Sequence, residues 1–304
     1  MTGVATWIAV DWGTSNLRLW VMGDGDTVLK KIEDPRGMSV LKPHEFAEVL
    51  VELTAGIPRS DDVLDVVACG MVGARQGWRE APYVPVPGRP PTGAKAIRID
   101  LPNAGLRVFV LPGMSQDNPP DVMRGEETQI AGILAADPDL DGLVCMPGTH
   151  CKWVACSHGR ISSFRTTMTG EVFALLKSQS TLRHSVSNGP WEMSCFDEAA
   201  KRALAEDTTI LAELFSIRAG SLLHDVGSAA STARLSGLLL GADVRQAKPL
   251  LGQGVVHVLG DGTLADLYSR VLELLQCEVI RLEADTVTLA GLAAVRASLR
   301  EAVS

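Results

Sequence analysis

The sequence predicts an α/β fold of two domains, each a mixed sheet flanked by helices, with a cleft between them. Three observations carry this expectation. The chain has 304 residues, more than one compact domain usually needs. Short alternating apolar runs give way to longer runs with helical spacing, the order expected of α/β proteins. A strand–turn–strand segment near the start, AVDWGTSNLRLWVMGDG, has an echo in LVCMPGTHCKWVACSHG, so the chain reads as two halves built on one plan. The expected boundary gives domains over 1–114 and 115–304.

The elements follow in order. Residues 6–11 (TWIAVD), 17–22 (LRLWVM) and 27–32 (TVLKKI) read as strands, the last two joined by the turn Gly23-Asp24-Gly25-Asp26. Residues 43–55 are helical, because Phe46, Val49, Leu50 and Leu53 share one face and Pro43 suits a first turn. A buried strand over 63–69 runs into the glycine-rich loop GMVGARQGW, and the prolines of APYVPVPGRPP stiffen an extended loop. Residues 106–111 form a further strand. Residues 125–136 form a helix with Glu126 and Glu127 in its first turn, where the helix dipole favours acids. After the second strand–turn–strand unit comes a helical region over 197–247. The tail reads strand 255–259, turn Gly260-Asp261-Gly262, helix 263–276, strand 278–282 and helix 286–299.

Composition narrows the function. Hydrophobic residues at 46% and charged residues at 21% are ordinary for a soluble globular protein. The net charge of −8 disfavours nucleic-acid and anionic-membrane partners, which attract Lys and Arg. Any anionic substrate must then be held by local basic groups. The six cysteines form no Cys-x-x-Cys pair, so reduced, mostly buried thiols in a cytoplasmic protein are expected. Neither a signal peptide nor an apolar run of ~18 residues is present, so no membrane span is expected. The sequence sets no oligomeric state.

The paired turns point to phosphate. Glycine lets backbone N–H groups approach a phosphate closely, and threonine adds a hydroxyl donor. Gly13-Thr14, with Ser15 and Asn16, corresponds to Gly148-Thr149, with His150. Mg2+ keeps several waters and takes one or two carboxylates, which Asp11 can supply. Met146 stands at the matching position and cannot, so the metal belongs to the first turn. No Walker A pattern and no intact G-x-G-x-x-G occurs, which excludes P-loop and Rossmann readings. Cys145, Cys151 and Cys156 with His150 lack zinc spacing, and alternation puts Cys151 and Cys156 on opposite strand faces.

This constellation resembles the actin-like ATPase, Hsp70 and sugar kinase superfamily along the whole chain, which implies two RNase H-like domains. Gly260, Asp261 and Gly262 resemble its adenosine-binding turn. Gly125-Glu126 matches the place of a Gly-Asp at a helix start, so the resemblance makes Glu126 the candidate base for an alcohol acceptor; Glu127, Asp117 and Asp121 compete. The GMVGARQGW loop resembles a sugar-facing loop, with Arg75 and Gln76 as candidate contacts.

The strings MRGEETQ, MPGTHCKW, FRTTMTGE, LSGLLLGA, AVDWGTSNLR and CGMVG together resemble the 2-dehydro-3-deoxygalactonokinase family. That resemblance implies ATP-dependent phosphorylation of 2-dehydro-3-deoxy-D-galactonate at its 6-hydroxyl, in galactonate breakdown. The alternatives are a kinase for another sugar or sugar acid, or a partner-regulated actin-like ATPase. The implied substrate carries a carboxylate, which a guanidinium fork matches. Arg18, Arg75, Arg124 and Arg165 each lie in a motif and are candidates for holding it.

Overall fold

The computed structural model describes residues 3–189, 191–206, 208–251 and 254–301. They fall into two compact units. The first takes in Met1–Leu140, Ser157–Ser163 and Ala284–Ser304; the second takes in Asp141–Cys156 and Phe164–Glu283.

In the first unit the strands are β1 (Trp7–Trp12), β2 (Leu17–Met22), β3 (Val28–Asp34), β4 (Leu64–Gly70), β5 (Tyr83–Pro85), β6 (Ile97–Leu101), β7 (Leu106–Val110), β8 (Gly113–Asp117) and β9 (Pro120–Met123). Its helices are α1 (Glu45–Thr54) and α2 (Glu126–Ala136). The main sheet has the order β3-β2-β1-β4-β7-β6. The strands β1, β4 and β7 run parallel, β2 pairs antiparallel with β1, and β3 pairs antiparallel with β2 at the sheet edge. Period-two alternation sends Ile8, Val10 and Trp12 to one face, where Phe46, Val49 and Leu50 of α1 cover them. Trp7 and Ala9 point to the other face, where Leu292 and Val295 from the chain's last helix cover them.

The second unit contains β10 (Gly142–Met146), β11 (Cys151–Ser157), β12 (Arg160–Thr167), β13 (Val255–Leu259) and β14 (Glu278–Leu282). They form one sheet in the order β12-β11-β10-β13-β14. Its helices are α3 (Thr169–Gln179), α4 (Met193–Leu204), α5 (Ile210–Leu223), α6 (Ser228–Ala247) and α7 (Thr263–Leu274); α8 (Ala284–Glu301) returns to the first unit. Asp207, inside the predicted helical region 197–247, lies outside the described residues.

The echo read from sequence is therefore topological. In each unit an antiparallel hairpin (β1–β2, β10–β11) is followed by parallel strands added beside its first strand (β4, β13). The division of the chain differs from the expected 114/115 boundary. The helix α2 belongs to the first unit because it crosses α8 closely. A Cβ on Gly132 would stand 1.9 Å from the Val287 carbonyl oxygen, and one on Gly291 1.9 Å from that of Thr128. No larger residue fits either position, and sequence spacing does not reveal that a helix 159 residues downstream, with Thr288 against Gln129, packs here. Strands β6, β8 and β9 were not expected either: Ile97–Leu101 alternates but is only five residues long after a proline-rich loop, and Gly113–Asp117 and Pro120–Met123 are short, half-polar and without apolar alternation.

Candidate active site

Parallel strands present ligands at their carboxyl ends, and the predicted residues of both hairpins lie there. In the first unit the register sets Asp11 beside Cys69 and Trp12 beside Gly70 on the neighbouring parallel strand. The turn between β1 and β2 closes with the Gly13 N–H donating to the Asn16 carbonyl at 2.9 Å. Thr14, Ser15 and Asn16 are exposed at its tip. The turn is held from behind, because the N–H groups of Met38 and Ser39 donate to the carbonyls of Gly13 and Thr14, both at 2.9 Å. Gly37 makes that approach feasible: a Cβ there would come within 2.3–2.5 Å of the backbone of Thr14, Ser15 and Asn16. A groove of about 580 Å³ runs along this hairpin, lined among others by Asp11, Gly13, Asn16 and Arg18.

Asp11 stands directly opposite Arg18 across the hairpin. One guanidinium nitrogen of Arg18 donates to Asp11 Oδ2 and another to Asp285 Oδ1, the latter at 2.6 Å. Burial works against the Arg18 charge, yet Asp11 and Asp285 outweigh it and hold its pKa above the ordinary value. Arg18 therefore orients Asp11 and is committed to two carboxylates of its own unit. Oδ1 of Asp11 faces the other way, 3.8 Å from Cys69 Sγ and 3.1 Å from where a Cβ on Gly70 would stand. The described residues hold no group of three or more His, Cys, Asp or Glu side chains able to close round an ion. One half-buried carboxylate, whose Oδ1 accepts only the weak Cys69 thiol donor, is a fit for Mg2+ that keeps most of its waters.

Gly70 lies close to both Asp11 and the loop that carries the candidate bases Glu126 and Glu127. Its φ is +88°, and on its other side Gly125, at φ +111°, has its missing Cβ position 3.2 Å from the Gly70 Cα. Gly125 precedes α2, and both acids of the first turn fold back over it. Glu126 Oε2 accepts from the Arg124 N–H at 3.0 Å, and both oxygens of Glu127 accept from the Gly125 N–H at 2.9 Å. The two acids differ in surroundings. Glu126 is half-buried, whereas Glu127 is 1% exposed. Burial, followed by the neighbouring Glu126 charge, pushes the Glu127 carboxyl up to about 8. Asp117 and Asp121 lie toward the far end of the β8–β9 hairpin, where Asp117 is exposed and Asp121 accepts from the Val122 N–H at 2.8 Å.

The predicted sugar-facing loop is compact. The N–H groups of Gly77 and Trp78 turn back onto the carbonyls of Ala74 and Val72, both at 2.9 Å, which leaves Arg75 and Gln76 exposed at the tip. Arg124 links this region to the candidate base Glu126, whose Oε2 accepts from its backbone N–H. It is 9% exposed, donates from Nη2 to the Ala81 carbonyl at 2.9 Å, and stacks 4.2 Å from the Tyr83 ring centroid. Its buried Nε and Nη1 have no hydrogen-bond partner.

In the second unit, the Gly148-Thr149-His150 turn and the Gly260-Asp261-Gly262 turn follow the neighbouring parallel strands β10 and β13. Met146 is buried where the first hairpin carries Asp11. Thr149 and His150 are exposed, and His150 Nε2 lies 2.6 Å from Glu171 Oε2. This turn too is backed by a glycine. A Cβ on Gly170 would stand 2.4 Å from the Gly148 carbonyl oxygen, and the Glu171 N–H donates to the Thr149 carbonyl at 2.9 Å. Gly262, at φ +80°, caps α7 with open space where a side chain would be. Arg165 is exposed on β12.

Two features escaped the sequence reading. Gly37 and Gly170 back the two turns in the same way, but each is one glycine among 29. Asp243, buried in α6, gathers four donors: Trp153 Nε1 at 2.9 Å, Thr167 Oγ1 at 2.8 Å, Thr169 Oγ1 at 2.7 Å, and the Tyr268 hydroxyl. It thereby fixes the start of α3, which carries Gly170. The available signal was an aspartate inside the apolar run LSGLLLGADV.

Comparison with known proteins places the chain among kinases. The profile of the 2-keto-3-deoxy-galactonokinase family matches residues 11–295. A Rhizobium meliloti (strain 1021) protein assigned as a 2-dehydro-3-deoxygalactonokinase is 37% identical over 97% of both chains. The Escherichia coli (strain K12) 2-dehydro-3-deoxygalactonokinase is 34% identical over 96% of this chain and 97% of its own. The crystal structure of a Sinorhizobium meliloti protein with the same assignment superposes with a TM-score of 0.88 at 36% identity, covering 97% of this chain and 96% of that one. The Clostridium difficile activator of 2-hydroxyisocaproyl-CoA dehydratase, solved with bound ADPNP, shares the fold at a TM-score of 0.53 and 11% identity, over 98% of this chain and 97% of its own.

Proposed function

The chain belongs to the 2-keto-3-deoxy-galactonokinase family, and from that premise we propose that it transfers the γ-phosphoryl group of ATP to the 6-hydroxyl of 2-dehydro-3-deoxy-D-galactonate. The observation that carries the chemistry is the arrangement around Gly70. The Asp11 carboxylate lies on one side of this residue and the Gly125 loop, with Glu126, on the other.

Each group has a role in this reading. The half-buried Glu126 accepts the proton of the 6-hydroxyl as its oxygen attacks the γ-phosphorus. Glu127 is sealed and mostly protonated near neutral pH, so it serves the helix start instead. Residues 13–16 and 148–150 are assigned to phosphates, and residues 260–262 to the nucleoside. Asp11 would hold Mg2+ through water, and the ion would supply positive charge to the phosphates. With its guanidinium bonded to Asp11 and Asp285, Arg18 is assigned in this reading to orienting Asp11 rather than to the substrate carboxylate. Arg124 lends its buried charge to the substrate carboxylate, with Arg75, Gln76 and Arg165 as outer contacts. A cytoplasmic location suits the six free thiols.

The test is a coupled ADP assay on the purified chain with a panel of 2-keto-3-deoxy acids. Turnover that requires 2-dehydro-3-deoxy-D-galactonate, and a product phosphorylated at O6, is the expected result. Preference for another acid moves the substrate. ATP hydrolysis that is indifferent to every acceptor leaves an actin-like ATPase.

A further inference from the structure

Helix α5 presents an apolar face to solvent. Leu211 is 81% exposed, Phe215 64%, Leu222 62% and Leu223 74%. Its charged residues are engaged within their own unit: Glu213 accepts from Arg202 Nε at 3.1 Å, and Arg218 donates to Ser185 Oγ at 3.2 Å. The inner face is already spent, with Ile210, Leu214 and Ile217 packed in a cluster with Leu182, Leu235 and Leu238. A helix that is apolar on both faces is normally covered on both.

The exposed residues fit a second copy of themselves. Antiparallel packing about Ile217 pairs positions whose numbers are equally spaced from it. Phe215 then meets the partner's Ala219, and Leu222 meets the partner's Ala212. Leu211 and Leu223 meet at the two ends. Large residues face small ones in the middle, as interdigitating helices require. The stripe offers no charge to select a foreign partner. Its four large side chains expose about 500 Å² on one copy, so two copies would bury about 1,000 Å², the lower edge of specific interfaces. We propose that this chain forms a two-fold dimer through antiparallel packing of α5 on α5.

Sedimentation equilibrium at micromolar concentration reads the mass directly. The unaltered chain is expected at twice the monomer mass. Phe215→Glu and Leu223→Glu, each at an exposed site, are expected at the monomer mass with the native circular dichroism spectrum retained, and with a melting transition that no longer rises with protein concentration. If one of them fails to fold, the other carries the test. Ala219→Lys is expected to be monomeric alone and to form a mixed dimer with Phe215→Glu, since the two positions face each other. A monomeric unaltered chain, a dimer that survives both Glu variants, or variants that dissociate but do not recombine would each overturn the proposal.

Discussion

Replacing Glu127 by Gln should flatten the pH dependence of stability without removing phosphoryl transfer. The carboxyl moves from an ordinary 4.5 to about 8 in the folded chain, chiefly through burial. Between those values the folded state keeps the proton and the unfolded state releases it. Stability therefore falls as pH rises through this window, and the loss is complete above the folded value. At ~1.36 kcal/mol per pH unit, the window costs about 5 kcal/mol in all, of which about 3 kcal/mol has gone by pH 7. Glutamine carries no such proton. It can still accept from the Gly125 N–H, which reaches the Glu127 oxygens at 2.9 Å.

The assay is urea unfolding of both proteins at several pH values from about 5 to 8. Other titrating groups are common to both and cancel in the difference. The stability of Glu127→Gln relative to the unaltered chain should climb by a few kcal/mol across the series. Parallel curves would refute the buried, proton-holding carboxyl. The same variant tests the choice of base. Near-normal kcat is expected; a loss as deep as that of Glu126→Gln would transfer the role to Glu127.

Further outcomes follow from the same geometry. Glu126→Gln should lower kcat about 10²- to 10⁴-fold in the coupled ADP assay, with little change in the KM for ATP. Asp11→Asn should remove most turnover while circular dichroism still reports the native fold; near-normal activity would end the metal role. Gly37→Ala and Gly170→Ala force a methyl against backbone at 2.3–2.4 Å, so each should cost about 1–3 kcal/mol of stability and raise the KM for ATP. Asp243→Asn replaces an acceptor of four donors with an amide that cannot satisfy them all, and thermal melting should fall by an amount equivalent to about 1–3 kcal/mol.

What was legible in the sequence follows from the range of the forces involved. The hairpin turns were readable because glycine, hydroxyls and the flanking apolar alternation lie within a dozen residues, and local chemistry specifies them. Asp11 against Met146 was readable for the same reason. The choice between Glu126 and Glu127 was not. Both sit in one helix turn, and only tertiary burial seals Glu127 while leaving Glu126 half-buried. Nor could the sequence say that Arg18 is taken up by Asp285, since the partner lies 267 residues away. The backing glycines show the limit most clearly. Gly37 and Gly170 solve the same problem in the two units: a turn that offers its tip to a ligand must be braced on the other side. In one unit the brace is a loop after β3, and in the other it is the start of α3. Different elements brace the two turns, so no aligned motif marks the correspondence. It is defined only by backbone that approaches too closely for a side chain.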